Sequence, residues 1–73
     1  FFGQCSDLRG TIIARVNFDD IDFSGSRFDS ADLQKSTFVK SILDGVSFEG
    51  ANLSGANFTE AQINKTQFFI EIH

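Results

Sequence analysis

The chain has 73 residues, ten of them phenylalanine, with no proline, methionine, tryptophan or tyrosine. Six Lys/Arg against ten Asp/Glu leave a net charge of −4, and without a basic stripe such a chain cannot neutralise phosphates well, which argues against a nucleic-acid ligand. No apolar run approaches the roughly 20 residues of a membrane span, and this length is one small domain or a piece of one.

The amino end reads Phe1-Phe2-Gly3-Gln4-Cys5 rather than starting with methionine, as expected of a processed or excerpted chain. Cys5 is the single cysteine, so it has no partner for an internal disulfide and reads as an inert thiol. From Leu8 onward every fifth residue is leucine, isoleucine or phenylalanine, through Ile13, Phe18, Phe23, Phe28, Leu33, Phe38, Leu43, Phe48, Leu53, Phe58 and Ile63 to Phe68. Two positions before each of these centres stands a small or β-branched residue, from Ser6 and Thr11 to Ala61 and Thr66. A fixed period of this kind marks a repeat architecture.

A step of five suits neither common element. On an α-helix it advances about 140° beyond a full turn, so the centres would spiral around the cylinder. On a flat strand an odd step alternates faces. The backbone must therefore bend once in every repeat, so that short extended sides joined by corners wind into a coil. Five of the six glycines (Gly10, Gly25, Gly45, Gly50 and Gly55) fall two residues after a centre, where a corner needing positive φ would sit. Arg15, Asp20, Lys35, Lys40 and Glu60 share that register, which predicts at least two corner geometries.

The choice of apolar residue gives the number of sides. Phe18, Phe38 and Phe58 are twenty apart, as are Phe28, Phe48 and Phe68, while most sites between them are aliphatic. A four-sided coil stacks ring on ring at the strand spacing of about 4.8 Å, which suits offset aromatic pairs. A three-sided coil would place Phe18 on Leu33. Four sides are expected.

The run Ala51-Asn52-Leu53-Ser54-Gly55-Ala56-Asn57-Phe58, together with Ala31-Asp32-Leu33-Gln34-Lys35, resembles the pentapeptide-repeat pattern A-(D/N)-(L/F)-x-x. Asp or Asn also precedes the centre at Asp7, Asn17 and Asp22, whereas Ile12, Arg27, Thr37, Ile42 and Ser47 depart from it at what reads as an outward position. The resemblance implies an all-β, right-handed quadrilateral β-helix of about 3.5 coils of twenty residues. It would form a single solenoid domain over residues 1–73, with regular repeats over 6–68 and terminal caps or docking segments at 1–5 and 69–73. It further implies a bacterial cytoplasmic or plastid setting (stroma or thylakoid lumen), in which a subunit of a photosynthetic assembly is conceivable.

No catalytic, metal-binding or cofactor motif appears. There is no Gly-x-Ser-x-Gly, Cys-x-x-Cys, His-Glu-x-x-His or phosphate loop, and the one histidine, His73, is the last residue. A regular convex rod also offers no cleft for a small-molecule substrate. Three Asn-x-Ser/Thr triplets, at Asn52, Asn57 and Asn64, arise from the repeat pattern itself and have no secretory context.

The expected function is a non-catalytic scaffold or protein–protein interaction module, with a protein partner or a second copy at an end of the solenoid, since small solenoids need covered ends. Candidate capping or interaction residues are Phe1, Phe2, Ile12, Val39, Ile42, Phe69, Ile70 and Ile72, apolar residues at outward or terminal positions. The alternative comes from the family resemblance, which includes acidic DNA mimics that inhibit or modulate type II topoisomerases such as gyrase. Against it, stacking by twenties sets Asp20, Lys40 and Glu60 in one column, and Arg9, Asp29 and Glu49 in another, predicting attraction between coils and an interrupted negative surface.

Overall fold

A computed structural model of the protein describes residues 2–68. The chain winds as a four-sided coil in which every side pairs with the side twenty residues later. Nine parallel bridges run without interruption from Asp7↔Arg27 and Ile12↔Asp32 to Ile42↔Gln62 and Ser47↔Gln67. Side I carries Leu8, Phe28, Phe48 and Phe68. Side II carries Ile13, Leu33 and Leu53, side III Phe18, Phe38 and Phe58, and side IV Phe23, Leu43 and Ile63.

Each repeat has five backbone N–H groups, and the fold finds work for all five types. Taking the large residue as the centre, its own N–H donates to the next coil, as Phe38 does to Asn57 O at 2.7 Å. The residue before it donates to the previous coil, as Asn57 does to Ser36 O at 3.0 Å, and the residue two after it donates to the next coil, as Lys40 does to Thr59 O at 3.0 Å. The N–H three residues after the centre closes a turn onto the centre's carbonyl, as Ser26 does to Phe23 O at 2.8 Å.

The fifth N–H, one after the centre, explains the Asp/Asn of the repeat. Asn17 Oδ1 accepts from the Asp19 N–H at 2.7 Å, Asp22 Oδ1 from Ser24 at 2.9 Å, and Asn57 Oδ1 from Thr59 at 2.9 Å. This is an Asx turn, a short side chain standing in for a backbone acceptor. At two positions where the residue before the centre does not serve, a carboxylate of the preceding coil does. Asp19 Oδ1 takes the Val39 N–H at 2.8 Å beside Thr37, and Asp44 Oδ1 takes the Asn64 N–H at 3.1 Å beside Gln62. The position is outward, but it has a structural job.

At least two corner geometries were expected, and the difference between corners does not lie in φ. Every residue two after a centre has positive φ, from 55° at Cys5 to 61° at Arg15 and Lys40, and 69–72° at the five glycines. One φ serves all corners, because the ladder and turn bonds on both sides dictate it. Non-glycine residues accept the steric cost of the left-handed region.

The corners do differ in how they are closed: at two of them a serine of the following coil enters the turn, whereas Ser41 in the same register bonds the Phe38 carbonyl of its own closed turn. Ser36 Oγ accepts from the Val16 N–H at 3.1 Å and donates to Ile13 O at 2.7 Å, opening that turn and filling it with a hydroxyl. Ser26 Oγ does the same between the Ser6 N–H at 2.9 Å and Gly3 O at 2.9 Å. Buried polar groups are tolerated when so satisfied. This is why Ser26 and Ser36 can lie fully buried among phenylalanines.

Inside, two columns of parallel rings stand on opposite sides. Phe18–Phe38–Phe58 and Phe28–Phe48–Phe68 stack at centroid distances of 5.2 Å throughout, with interplanar angles of 3–22°. Between columns the rings meet edge to face, as Phe28 and Phe38 do at 5.7 Å and 86°. Phe23, the exception among the aliphatic sites, wedges edgewise against both Phe18 and Phe28 at 5.4 and 5.1 Å. The fully buried core runs from Phe18 to Phe48.

Candidate functional site

The two ends of the coil are built differently. At the amino end Phe2 lies over the first coil, 5.2 Å from Phe18 in a T-shaped contact and 6.4 Å from Phe23. Gly3 occupies the register where a large centre would be, and its carbonyl accepts two hydroxyls, Ser6 Oγ at 2.7 Å and Ser26 Oγ at 2.9 Å. Phe2 thus helps to cover Phe18, which is completely buried, while remaining 39% exposed itself. Of the expected caps, Phe2 is the one the described residues include; Phe1, Phe69, Ile70 and Ile72 lie outside them, as does His73.

The other end shows its core. Leu53 and Phe58 are partly buried, Ile63 is 50% exposed and Phe68 is 38% exposed. The N–H groups of Phe58 and Ile63 occupy the place from which those of Phe38 and Leu43 donate to the following coil, and meet no acceptor among the described residues.

The three expected side residues are not brought together. Ile12 is on side II and 82% exposed, Val39 is on side III, and Ile42 is on side IV. The last two are half-buried. They are scattered apolar residues rather than one patch.

Charges form a mosaic, with one correction to the expected pairing. Among the described residues the ion pairs run along a side rather than between coils. Asp7 pairs with Arg9 at 2.7 Å, and Arg27 with Asp29 at 2.7 Å. Flanking residues on one extended side point to the same face, so their side chains reach each other directly. The Arg9 side-chain hydrogen bonds hold the Asp7 carboxyl well below its ordinary 3.8, at about 2, and Asp7 in turn raises Arg9. Asp22 is lowered by the Ser24 hydroxyl and N–H and then by Gln4, and Asp29 chiefly by Arg27. Among the described residues no group of His, Cys, Asp and Glu could hold a metal ion, and no helix is long and apolar enough to cross a membrane.

Comparison with known proteins agrees with this geometry. A family model described as pentapeptide repeat region matches residues 11–70. The crystal structure of Rfr23, a pentapeptide-repeat protein from the cyanobacterium Cyanothece 51142, superposes with a TM-score of 0.87 at 18% identity, over 90% of this chain and 46% of that one. HetL, a pentapeptide-repeat protein involved in heterocyst differentiation regulation in the cyanobacterium Nostoc sp. strain PCC 7120, gives a TM-score of 0.62 at 26% identity, over 81% of this chain and 33% of that one. The chain thus spans less than half the length of either neighbour. No curated protein matches it in sequence. The shared fold is the right-handed quadrilateral β-helix.

Proposed function

The chain belongs to the pentapeptide-repeat family, a family of non-enzymatic repeat proteins, and from that membership we propose that it is a scaffold that associates with another protein surface through the exposed end of its last coil. One observation carries the reading: Ile63 and Phe68, core-register residues, are 50% and 38% exposed at the carboxyl side of the described coil, and Phe2, packed on Phe18 at the amino side, is 39% exposed. Exposed apolar surface contiguous with unpaired backbone donors is the physical mark of an interaction edge. HetL, involved in regulation of differentiation, offers a precedent for a rod of this kind acting in a larger process.

The test is an association assay in which the chain is compared with Ile63→Asp and Phe68→Ser, folding being checked by circular dichroism. Loss of association in these variants supports the reading; undiminished association in both, with native spectra, overturns it. Mimicry of DNA toward a type II topoisomerase has less support here. The Asp7–Arg9 and Arg27–Asp29 pairs break the negative surface, and the reading predicts no change in gyrase supercoiling with excess protein.

A further inference from the structure

Independently of the coil's ends, we propose that one lateral edge of the rod, the corner between sides II and III with the adjoining strip of side III, binds an extended acidic peptide segment of a partner protein. The argument begins with the Asx turn. Asn17 Oδ1 accepts the Asp19 N–H at 2.7 Å, and Asn57 Oδ1 accepts the Thr59 N–H at 2.9 Å. Asp22 does the same work in the same register, through its Oδ1 at 2.9 Å. Asn and Asp thus serve the fold equally, because the turn uses only one side-chain oxygen. What stays outward differs: a second carboxylate oxygen that accepts, or an amide NH2 that donates. The choice between them sets the chemistry of the surface without disturbing the coil.

On side III that choice is one-sided. The residues before its centres are Asn17, Thr37 and Asn57, paired one coil after another. With both Asn oxygens committed to turns, the exposed Asn17 and Asn57 present NH2 groups, and Thr37 between them adds a hydroxyl. Beside this column, on consecutive coils of the corner, stand Arg15 and Lys35, both exposed.

The fold gives these two cations no counter-charge. Of the other corner columns, Asp20–Lys40–Glu60 alternates in sign and the remaining two hold at most one charge each. Among the described residues neither Arg15 nor Lys35 is paired with a carboxylate. The acids of the adjoining sides are engaged elsewhere. Asp32 Oδ1 takes the Gln34 N–H and side-chain amide at 3.2 and 3.1 Å, and Asp19 Oδ1 takes the Val39 N–H at 2.8 Å. Gly55, third in the corner column, leaves room for the Lys35 stem, whose Cγ lies 3.1 Å from where a Cβ would stand. The stem therefore leans toward the third coil, away from Arg15, and spreads positive charge along the length of the amide column.

The occupant follows from charge and spacing. A strip of cations and donors on a chain of net charge −4 selects a ligand rich in acceptors, and carboxylates make the strongest such bonds. In an extended peptide alternate side chains share a face about 6.8 Å apart, more than the coil step of about 4.8 Å. The divergence of Lys35 from Arg15 accommodates that difference. Two carboxylates two residues apart then meet the two cations, with the segment lying along the axis and its carbonyls toward the amide column. A nucleic acid fits less well. Its unbroken phosphates would also meet Asp19, Asp20 and Glu60 at the far border of side III.

Exposed ion pairs are individually weak, so the test is an NMR titration of the isotopically labelled full chain, with circular dichroism of every variant. The probe is a short acetylated peptide of alternating serine and glutamate. The side-chain NH2 signals of Asn17 and Asn57 and the Arg15 Nε–H are expected to shift, and added salt to reverse the shifts. Lys35→Glu should weaken binding about tenfold, whereas Lys65→Glu, the same change of net charge at another corner, should leave it unchanged. Asn57→Asp keeps the turn, and so the native spectrum, but exchanges a donor for a carboxylate, which should weaken binding about threefold. A peptide with glutamine in place of glutamate should not bind. No shifts at millimolar peptide overturn the proposal, as do equal losses in Lys35→Glu and Lys65→Glu, or tighter binding of an oligothymidylate at the same residues. Undiminished binding by natively folded Asn57→Asp refutes the part given to the amide column.

Discussion

At the scale of the residue, the Ser26 and Ser36 hydroxyls hold turns open rather than merely fill space. Ser36→Ala is expected to cost about 1–3 kcal/mol, because the Val16 N–H and Ile13 carbonyl lose the hydroxyl between them in a dry core. Ser54→Ala, on an exposed side chain, should stay within about 0.5 kcal/mol; urea unfolding of the two variants gives the comparison. The corners supply a second test. Gly45 has φ of 69° and nothing nearer than 3.9 Å to an added Cβ, so Gly45→Ala measures backbone strain alone, at about 1 kcal/mol destabilising. Lys40→Gly in the same conformation should be close to neutral, the relief of strain being offset by the looser unfolded chain. Acid gives a third. The Asp7 carboxyl lies below its ordinary 3.8, at about 2, through Arg9, and Asp22 and Asp29 are lowered too. Groups with depressed folded values contribute stability that is present above the ordinary range and lost as pH falls through the folded one. Stability should therefore decline from pH 3.8 toward 2, and a carboxyl titration followed by NMR should place Asp7 near the lower figure, rising in Arg9→Ala.

The element of this fold is the coil, and its stability depends on neighbours on both sides. Phe38 is stacked at 5.2 Å on Phe18 and on Phe58 and is fully buried, whereas Phe58 is only partly buried in the last complete coil. Phe38→Ala is expected to cost about 3–5 kcal/mol by transfer and cavity formation, and Phe58→Ala less, since solvent can occupy part of the space it leaves. Equal penalties in denaturant unfolding would contradict a coil whose core is continuous along the axis. The repeat pattern was legible at this scale. The spacing of Phe18, Phe38 and Phe58 anticipated the observed stacks, because rings placed twenty apart can meet only if twenty residues make one turn.

Over the whole molecule, stability is graded rather than uniform, as in other solenoids, where each repeat contacts only its neighbours. Hydrogen exchange is expected to be slowest for amides such as Phe28, Leu33, Phe38 and Leu43, each donating to the next coil. It should be fastest for Phe58 and Ile63, unless the end is covered. Phe2→Ala should speed exchange near Phe18 and Phe23 while leaving Phe48 unchanged, because the Phe2 ring packs against the first two.

The sequence determined the coil and its four sides, since a period of five with Phe every twenty residues is incompatible with helix or flat strand and is met by a square winding. Only the tertiary structure decided the common φ of all corners, the acceptor role of Asp22 and Asn57, the insertion of Ser26 and Ser36 into turns of another coil, and the exposure of Ile63 and Phe68. The reason is that a register names which way a residue points, but a hydrogen bond depends on what stands one coil away. A serine at an inward site reads like an alanine until the turn above it, twenty residues back, is seen to be open.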